Sequence, residues 1–458
     1  MKKVIFAILI MVLFGLPVFA GGGADNPPIR IWVGAEAVSF YQQVMNAFIA
    51  DYNTKNPRAQ FPYAVVVEAV DAGSAAAKFQ DDPAAGADIF TVAHDNLGRL
   101  TQGASSIGPV TDPALLRQIQ NDNPAIFQNI IKGTVQNVEY TFGIPYRAQS
   151  LVLYYNKKHL TDTDVQTWEG IWAKARSLGK QSVSINGDDG FNNSFLVLAT
   201  RASDNAQVAT IFRNNVLTDS NFTSDLAVAT MQWGQRFFTD SSADGRTFYG
   251  ARKASDSGWE VELRNEASLS MIGGAWNYKA ASAALGSNLG IAVLPTFTLT
   301  SADVAGTNIA ANTVMRSGTF ADAILFVMKK FNTNNQAEAA RANAVQQILL
   351  YLSSKEIQER AFNEIQNLPA YKNARTEFAG VRANTTEGLL ARMQFEMFDR
   401  GRPQPISSPR ANLYYYQSSG PQIVLDILTN NGNQYNNTAQ IRAGLAVIEN
   451  IWKTGQRP

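Results

Sequence analysis

The chain has 458 residues, 45% hydrophobic and 10% aromatic, enough for two or three domains with substantial cores. Its 39 basic and 38 acidic residues give a net charge of +1, which offers no electrostatic footprint for nucleic acid or a membrane surface. The absence of cysteine excludes disulfides, zinc–thiolate sites, cysteine nucleophiles and a lipidated cysteine anchor.

The first predicted element is a secretory signal peptide over residues 1–20. Lys2 and Lys3 form a basic n-region, Val4 to Val18 is an apolar h-region, and Val18-Phe19-Ala20 sets small residues before Gly21. No later stretch approaches the length of a membrane span. The mature chain is therefore expected to be soluble and periplasmic, with a net charge of −1 once Lys2 and Lys3 are removed.

Ile29 to Val33 reads as a strand, and Gly34 to Val38 as a loop. A helix is predicted from Ser39, which forms a capping box with Gln42. Phe40, Val44, Phe48 and Tyr52 recur at helical spacing until Pro57 stops the pattern. Ala64 to Val70 and Asp88 to Val92 are two further strands. Strands alternating with helices imply an α/β unit with parallel pairing. Ligands on such sheets sit beyond the strand C-termini, here at Gly34 to Val38 and at Ala93-His94-Asp95-Asn96.

Phe142 to Lys158 then combines a polar preamble, Tyr146, Arg147 and Gln149, with an apolar run from Leu151 to Tyr155. Pro145 holds the preamble extended, so the segment is suited to cross from one lobe into a buried strand of another. Thr167-Trp168-Glu169 opens a helix. Ser182 to Ile185 is a strand leading into a polar, glycine-punctuated loop, Asn186 to Asn192. Strands are predicted at Ser268 to Ile272, Leu289 to Pro295 and Ala323 to Met328, a loop at Thr298 to Asn312, and a long helix at Asn335 to Tyr351. The remainder is mostly helical, broken near Pro369 and by Pro403, Pro405 and Pro409.

Several fragments in this order resemble one family. They are Ala87-Asp88-Ile89-Phe90 with Ala93-His94-Asp95, Ile144-Pro145 through Tyr155-Asn156-Lys157, Thr167-Trp168-Glu169, Met271-Ile272-Gly273-Gly274-Ala275-Trp276, and Val293-Leu294-Pro295-Thr296-Phe297. The chain resembles the bacterial extracellular solute-binding proteins of the sugar-binding type, closest to the maltose/maltodextrin-binding proteins of ABC transporters. The resemblance implies a periplasmic-binding-protein-like α/β fold, with two lobes joined by crossing hinge segments and a ligand cleft between them. It places the first lobe at residues 28–146 and 313–367, and the second at 147–300 and 370–458. It also implies a monomer that binds a sugar or oligosaccharide and delivers it to a membrane permease, with no cofactor, no metal and no catalysis.

A sugar cleft needs carboxylates and amides for hydroxyls and aromatic faces for the ring. Asp95 stands at the family's binding carboxylate, or else caps the following helix. Glu36 lies where the family's first loop offers an acid. Gln149 falls where the maltodextrin binders carry a carboxylate. Asp189 and Phe191 resemble an acid and a stacking aromatic, Trp276 a stacking tryptophan, and Tyr415 within Tyr414-Tyr415-Tyr416 a final aromatic. Departures from the maltose set are Val92 for a Trp, Asn96 for an Arg, Ala37 for a Lys and Asn192 for an aromatic, which puts maltose itself in question. The alternatives are a non-sugar solute on the same fold (polyamine, amino acid or ferric ion) and, less favoured, a secreted glycoside hydrolase. With two histidines and no GxSxG, HExxH or P-loop pattern, no enzyme is expected.

Overall fold

The computed structural model describes residues 26–101, 105–136, 138–186, 190–210, 220–254, 258–374, 384–403, 420–454 and 456. The signal peptide expected at residues 1–20 lies outside the described residues, as do Asp189 and Tyr415.

The fold is α/β with two lobes. In the first, Ile29–Val33 and Ile89–Ala93 are buried on both faces, which suits parallel strands covered by helices. They pair in parallel, with Val65–Ala69 on the outer edge. Asp322–Lys329 returns from far along the chain to lie antiparallel beside Ile89–Ala93. Ile107–Gly108 and Ile144–Gln149 pair along its other side.

The helix Val38–Lys55 buries Phe40, Tyr41, Val44, Met45 and Phe48 against this sheet. Ser39 does not cap it. A 3-10 turn, Ala35–Ala37, runs directly into the helix, which has no side-chain cap. Gln42 bonds elsewhere: its Nε2 donates to the Val65 carbonyl at 3.1 Å, and its Oε1 accepts from the Val67 amide at 3.0 Å. Val65–Ala69 is an edge strand with exposed backbone groups, and the amide side chain satisfies two of them.

The second lobe is built on a sheet ordered Ala251–Lys253, Gln181–Ile185, Ser268–Gly273, Val152–Asn156, Leu289–Ala292. Its first three strands are parallel, and Val152–Asn156 is antiparallel to both neighbours. Thr167 opens the helix Trp168–Leu178 by accepting from the Gly170 amide at 3.0 Å, and Gly179 at φ 63° ends it. Trp168, Trp233 and Trp452 are fully buried in this lobe's core.

Three segments differ from expectation. Part of the predicted loop from Thr298 is a strand, Thr296–Leu299, paired antiparallel with Thr313–Arg316. The alternation Thr-Phe-Thr-Leu, with Phe297 and Leu299 buried, is the period-two signal for it. Residues 313–316, expected in the first lobe, pair here instead, and Met315 and Phe320 pack in the second core. A hairpin, Lys132–Val135 with Val138–Thr141, has no buried residue in either strand and so carries no buried alternation that would announce it.

Only Ser150 and Leu151 separate the last residue of Ile144–Gln149 in the first sheet from Val152 in the second. This crossing is tied sideways to two others. Ser150 Oγ donates to the Gln394 carbonyl at 2.8 Å, and the Leu151 amide donates to Thr319 Oγ1 at 3.0 Å. The Ala321 amide donates to the Arg402 carbonyl at 2.7 Å. Three neighbouring segments thus connect the lobes beside the cleft.

Candidate functional site

The ladder between Ile144–Gln149 and Asp322–Lys329 sets the floor of a cleft of about 660 Å3. Asp322 opposes Gln149 and Ile324 opposes Arg147. Opposed residues project to one face, and the pleat returns to that face every second residue. All four therefore line the cleft, while Tyr146 and Ala148 turn into the core. Pro145 has no amide hydrogen to give, and the register slips by one residue between Ile324 and Leu325, opposite Pro145 to Arg147. Pro145 is tolerated because its strand ends the sheet here. Beyond it, the Ala148 amide is met by the Leu368 carbonyl at 2.8 Å.

Asp322 is 1% exposed. A buried carboxylate needs several partners. Its Oδ1 accepts from the Ala323 amide at 2.8 Å and pairs with Nδ1 of the buried His94, and its Oδ2 accepts from Gln149 Nε2 at 3.3 Å. Asp95 stands on the 3-10 turn His94–Asn96, just after the strand Ile89–Ala93, and accepts from Asn96 Nδ2 at 3.1 Å. It is buried and lines the cleft.

The second lobe supplies the facing wall. Trp276 is 42% exposed on the 3-10 turn Ala275–Asn277, which Asn277 fastens by accepting from the Gly274 amide at 3.1 Å. The two preceding glycines do not open the backbone to a ligand, because the protein's own side chains fill that space. A Cβ on Gly274 would stand 2.0 Å from the Trp276 ring, and one on Gly273 would stand 2.5 Å from Asn277 Oδ1. Phe191 stacks on Phe320 with ring centres 5.8 Å apart and tilts against Trp276 at 5.7 Å. It lines the cleft but is mostly packed. Trp259 joins the same wall.

Glu36 is not beside Asp95 and Gln149. It is exposed and lines a second compartment of about 630 Å3, with Tyr278, Lys279, Glu364 and Asn367. Arg147 and Trp276 line both spaces. Of the expected site residues, Asp95, Gln149, Phe191 and Trp276 come together in the cleft. Glu36 lies in the neighbouring compartment, and Asp189 and Tyr415 lie outside the described residues.

Asp322 and Trp259 also line the cleft without having been expected there, and Arg147, read in the sequence only as part of the polar crossing segment, lines it as well. Asp322 has a legible signal, because a lone carboxylate opening an otherwise apolar strand demands a partner or a role.

Tyr154 and Tyr155 are core groups. The Tyr154 hydroxyl donates to the Gly274 carbonyl at 2.8 Å, and the Tyr155 hydroxyl donates to Asp162 at 2.7 Å. Burial pushes the Tyr154 phenol well above its ordinary value, and burial followed by the Asp162 carboxylate pushes Tyr155 up as well. Each hydroxyl is held within the protein, and neither side chain is among the residues that line the cleft. Among the described residues, no group of three or more His, Asp or Glu is placed to hold a metal, and no helix is long and apolar enough to cross a membrane.

A family model described as bacterial extracellular solute-binding protein matches residues 47–384. No curated protein sequence matches the chain. Among solved structures, the unliganded maltodextrin-binding protein MalE1 of L. casei BL23 is 19% identical at a TM-score of 0.66, covering 94% of this chain and 99% of that one. The maltose-binding periplasmic protein MalE of Listeria monocytogenes, in complex with maltose, is 17% identical at 0.66, covering 94% and 98%. The GacH receptor of Streptomyces glaucescens, described unliganded and with acarbose, is 15% identical at 0.66, covering 94% and 99%. At these identities the likeness carries the fold.

Proposed function

This chain belongs to the bacterial extracellular solute-binding protein family, and from that premise we propose that it is the periplasmic sugar-binding component of an ABC importer. The observation that carries the reading is the two-sided chemistry of the cleft. Trp276, Trp259 and the edge of Phe191 form one wall, and Asp95, Gln149 and Asp322 form the other. Aromatic faces match the apolar face of a pyranose, and charged acceptors make the stronger hydrogen bonds to its hydroxyls. The cleft volume is that of a small-molecule site, and the structural neighbours include proteins in complex with maltose and acarbose.

In this reading the ligand enters while the lobes are apart, stacks on Trp276 and bonds to the first-lobe row. The lobes then close by rotation about Ser150, Thr319 to Ala321 and Gln394 to Arg402. The closed form docks on a membrane permease. Nothing in the mechanism makes or breaks a covalent bond in the ligand. The compartment beyond Trp276 gives room for a chain longer than one ring, so an oligosaccharide suits the site.

Calorimetric titration of the purified mature protein with a panel of mono- and oligosaccharides tests the reading. Saturable binding of at least one sugar, weakened by Trp276→Ala, is expected. Binding of a polyamine or an amino acid, with every sugar silent, overturns it.

A further inference from the structure

We infer that the sugar taken by this cleft carries a carboxylate, and that Arg147 receives it; the inference rests on the sugar-binding reading above. Arg147 is half-buried at the junction of the two compartments. A guanidinium presents five N–H donors. One is used within the protein, where Nη1 donates to Asn367 Oδ1 at 3.3 Å, a long bond. Nε is buried and has no partner. No carboxylate of a described residue stands within 4.0 Å of the group.

The acids of the cleft are in the opposite condition. Asp71 accepts from the Gly73 amide, Asp95 from Asn96, and Asp322 from Gln149 and its own neighbour's amide while pairing with His94. Their charges are already held by this chain's donors, whereas the cation opposite them is under-satisfied. A buried donor left unpaired costs more than a typical hydrogen bond returns. The group that removes the deficit at Arg147 is an anion with two coplanar oxygens, which a guanidinium grips in a fork. Among the described residues that line this cleft, three are carboxylates and Arg147 is the one cation, so repulsion weighs more heavily on a doubly charged phosphate than on a single negative charge. The ligand class is therefore a uronic acid or an oligomer of one, with its rings against Trp276 and its carboxylate at Arg147.

The geometry of the strand supports the assignment. Arg147 reaches the cleft floor by the same two-residue alternation that places Gln149 there, opposite Ile324, and the ladder slips only beyond it, between Arg147 and Pro145. An arginine serving only the core would be expected to find its partner within the protein.

The test is calorimetric titration of the mature protein with matched pairs: glucose and glucuronate, galactose and galacturonate, and galactobiose and digalacturonate. Glucose 6-phosphate serves as the phosphate arm. In at least one pair the acid is expected to bind ten-fold or more tightly than its neutral partner. Arg147→Gln, which retains a donor for Asn367, is expected to erase that preference, weakening the acid at least ten-fold more than its neutral partner. Arg147→Lys, which restores the charge but not the fork, is expected to recover part of it. If a neutral sugar binds as tightly as its acid, or Arg147→Gln weakens both alike, the inference fails while the sugar-binding reading stands. Tighter binding of glucose 6-phosphate than of glucuronate overturns the carboxylate assignment. If no member of any pair binds while another sugar of the wider panel does, the inference fails and the sugar-binding reading stands; if no sugar binds at all, both fall.

Discussion

Gln149 and Asp322 meet at the last rung of the first-lobe sheet, Gln149 Nε2 donating to Asp322 Oδ2 at 3.3 Å, one residue before the chain leaves for the second lobe. This contact accounts for the amide at position 149. The resemblance to maltodextrin binders implies a carboxylate at that position, and the acid of this site stands one strand away. With Asp322 buried and its Oδ1 already engaged by His94 and the Ala323 amide, the residue opposite Oδ2 is placed to donate rather than accept.

Gln149→Glu is therefore expected to destabilise the protein by about 1–3 kcal/mol at pH 7, the range for a buried polar group that loses its partner. Two buried carboxylates in contact raise one another's pKa, and a shared proton relieves the clash. The deficit should accordingly shrink at pH 5, where a proton is more readily shared between the two carboxylates. Urea denaturation at the two pH values measures this. Equal stability of variant and parent at pH 7 would show that Asp322 does not need a donor at 149.

A second buried carboxylate ties the first lobe together. Asp88 accepts from Arg341 Nε at 2.8 Å and Nη2 at 2.7 Å, and from the Arg30 amide at 2.9 Å, with Lys329 Nζ at 3.0 Å. Burial alone would raise its pKa, but the Arg341 and Arg30 hydrogen bonds and the Lys329 and Arg341 charges outweigh it, and the value lies below the ordinary one. A lowered folded-state value means the contribution is complete above the unfolded value of about 4 and is lost as pH falls through the folded value. Asp88→Asn is expected to cost about 3–5 kcal/mol at pH 7, the range for breaking one side of a buried pair. Its stability should converge on that of the parent as pH falls below about 4, followed by urea unfolding. A gap that stays constant down to pH 2 would mean that the ionised form of Asp88 contributes nothing to the fold.

The sequence made the fold legible where a residue's local pattern and its final surroundings agree. Thr167 caps the helix it is expected to open, and the apolar run through Tyr155 is a central strand. Legibility failed where a partner distant in the chain decides the outcome. Gln42 leaves its expected cap to serve an edge strand 23 residues on, and Asp322 reaches the cleft only because its strand returns beside one that ends 229 residues earlier. Glu36 shows the remaining kind of miss. Its loop sits at the end of a sheet strand as expected, yet Arg147 and Trp276 stand between it and the row formed by Asp95, Gln149 and Asp322.

Gly274 and Trp276 offer a way to separate ligand binding from stability. Because Trp276 is 42% exposed, Trp276→Ala should change stability by no more than about 0.5 kcal/mol, the usual span for surface positions. It should weaken ligand binding by about ten-fold or more, since a stacked aromatic contributes roughly 1–3 kcal/mol. Gly274→Ala reaches the same ring indirectly. The new methyl would stand 2.0 Å from the indole, and the half-exposed ring can swing away at little cost. The backbone of Gly274, at φ −101°, accepts any residue without strain. Thermal unfolding of Gly274→Ala should thus resemble that of the parent, while calorimetry shows a loss of affinity approaching that of Trp276→Ala. Full affinity in Gly274→Ala would mean that the ring's placement over residue 274 is not the one that meets the ligand.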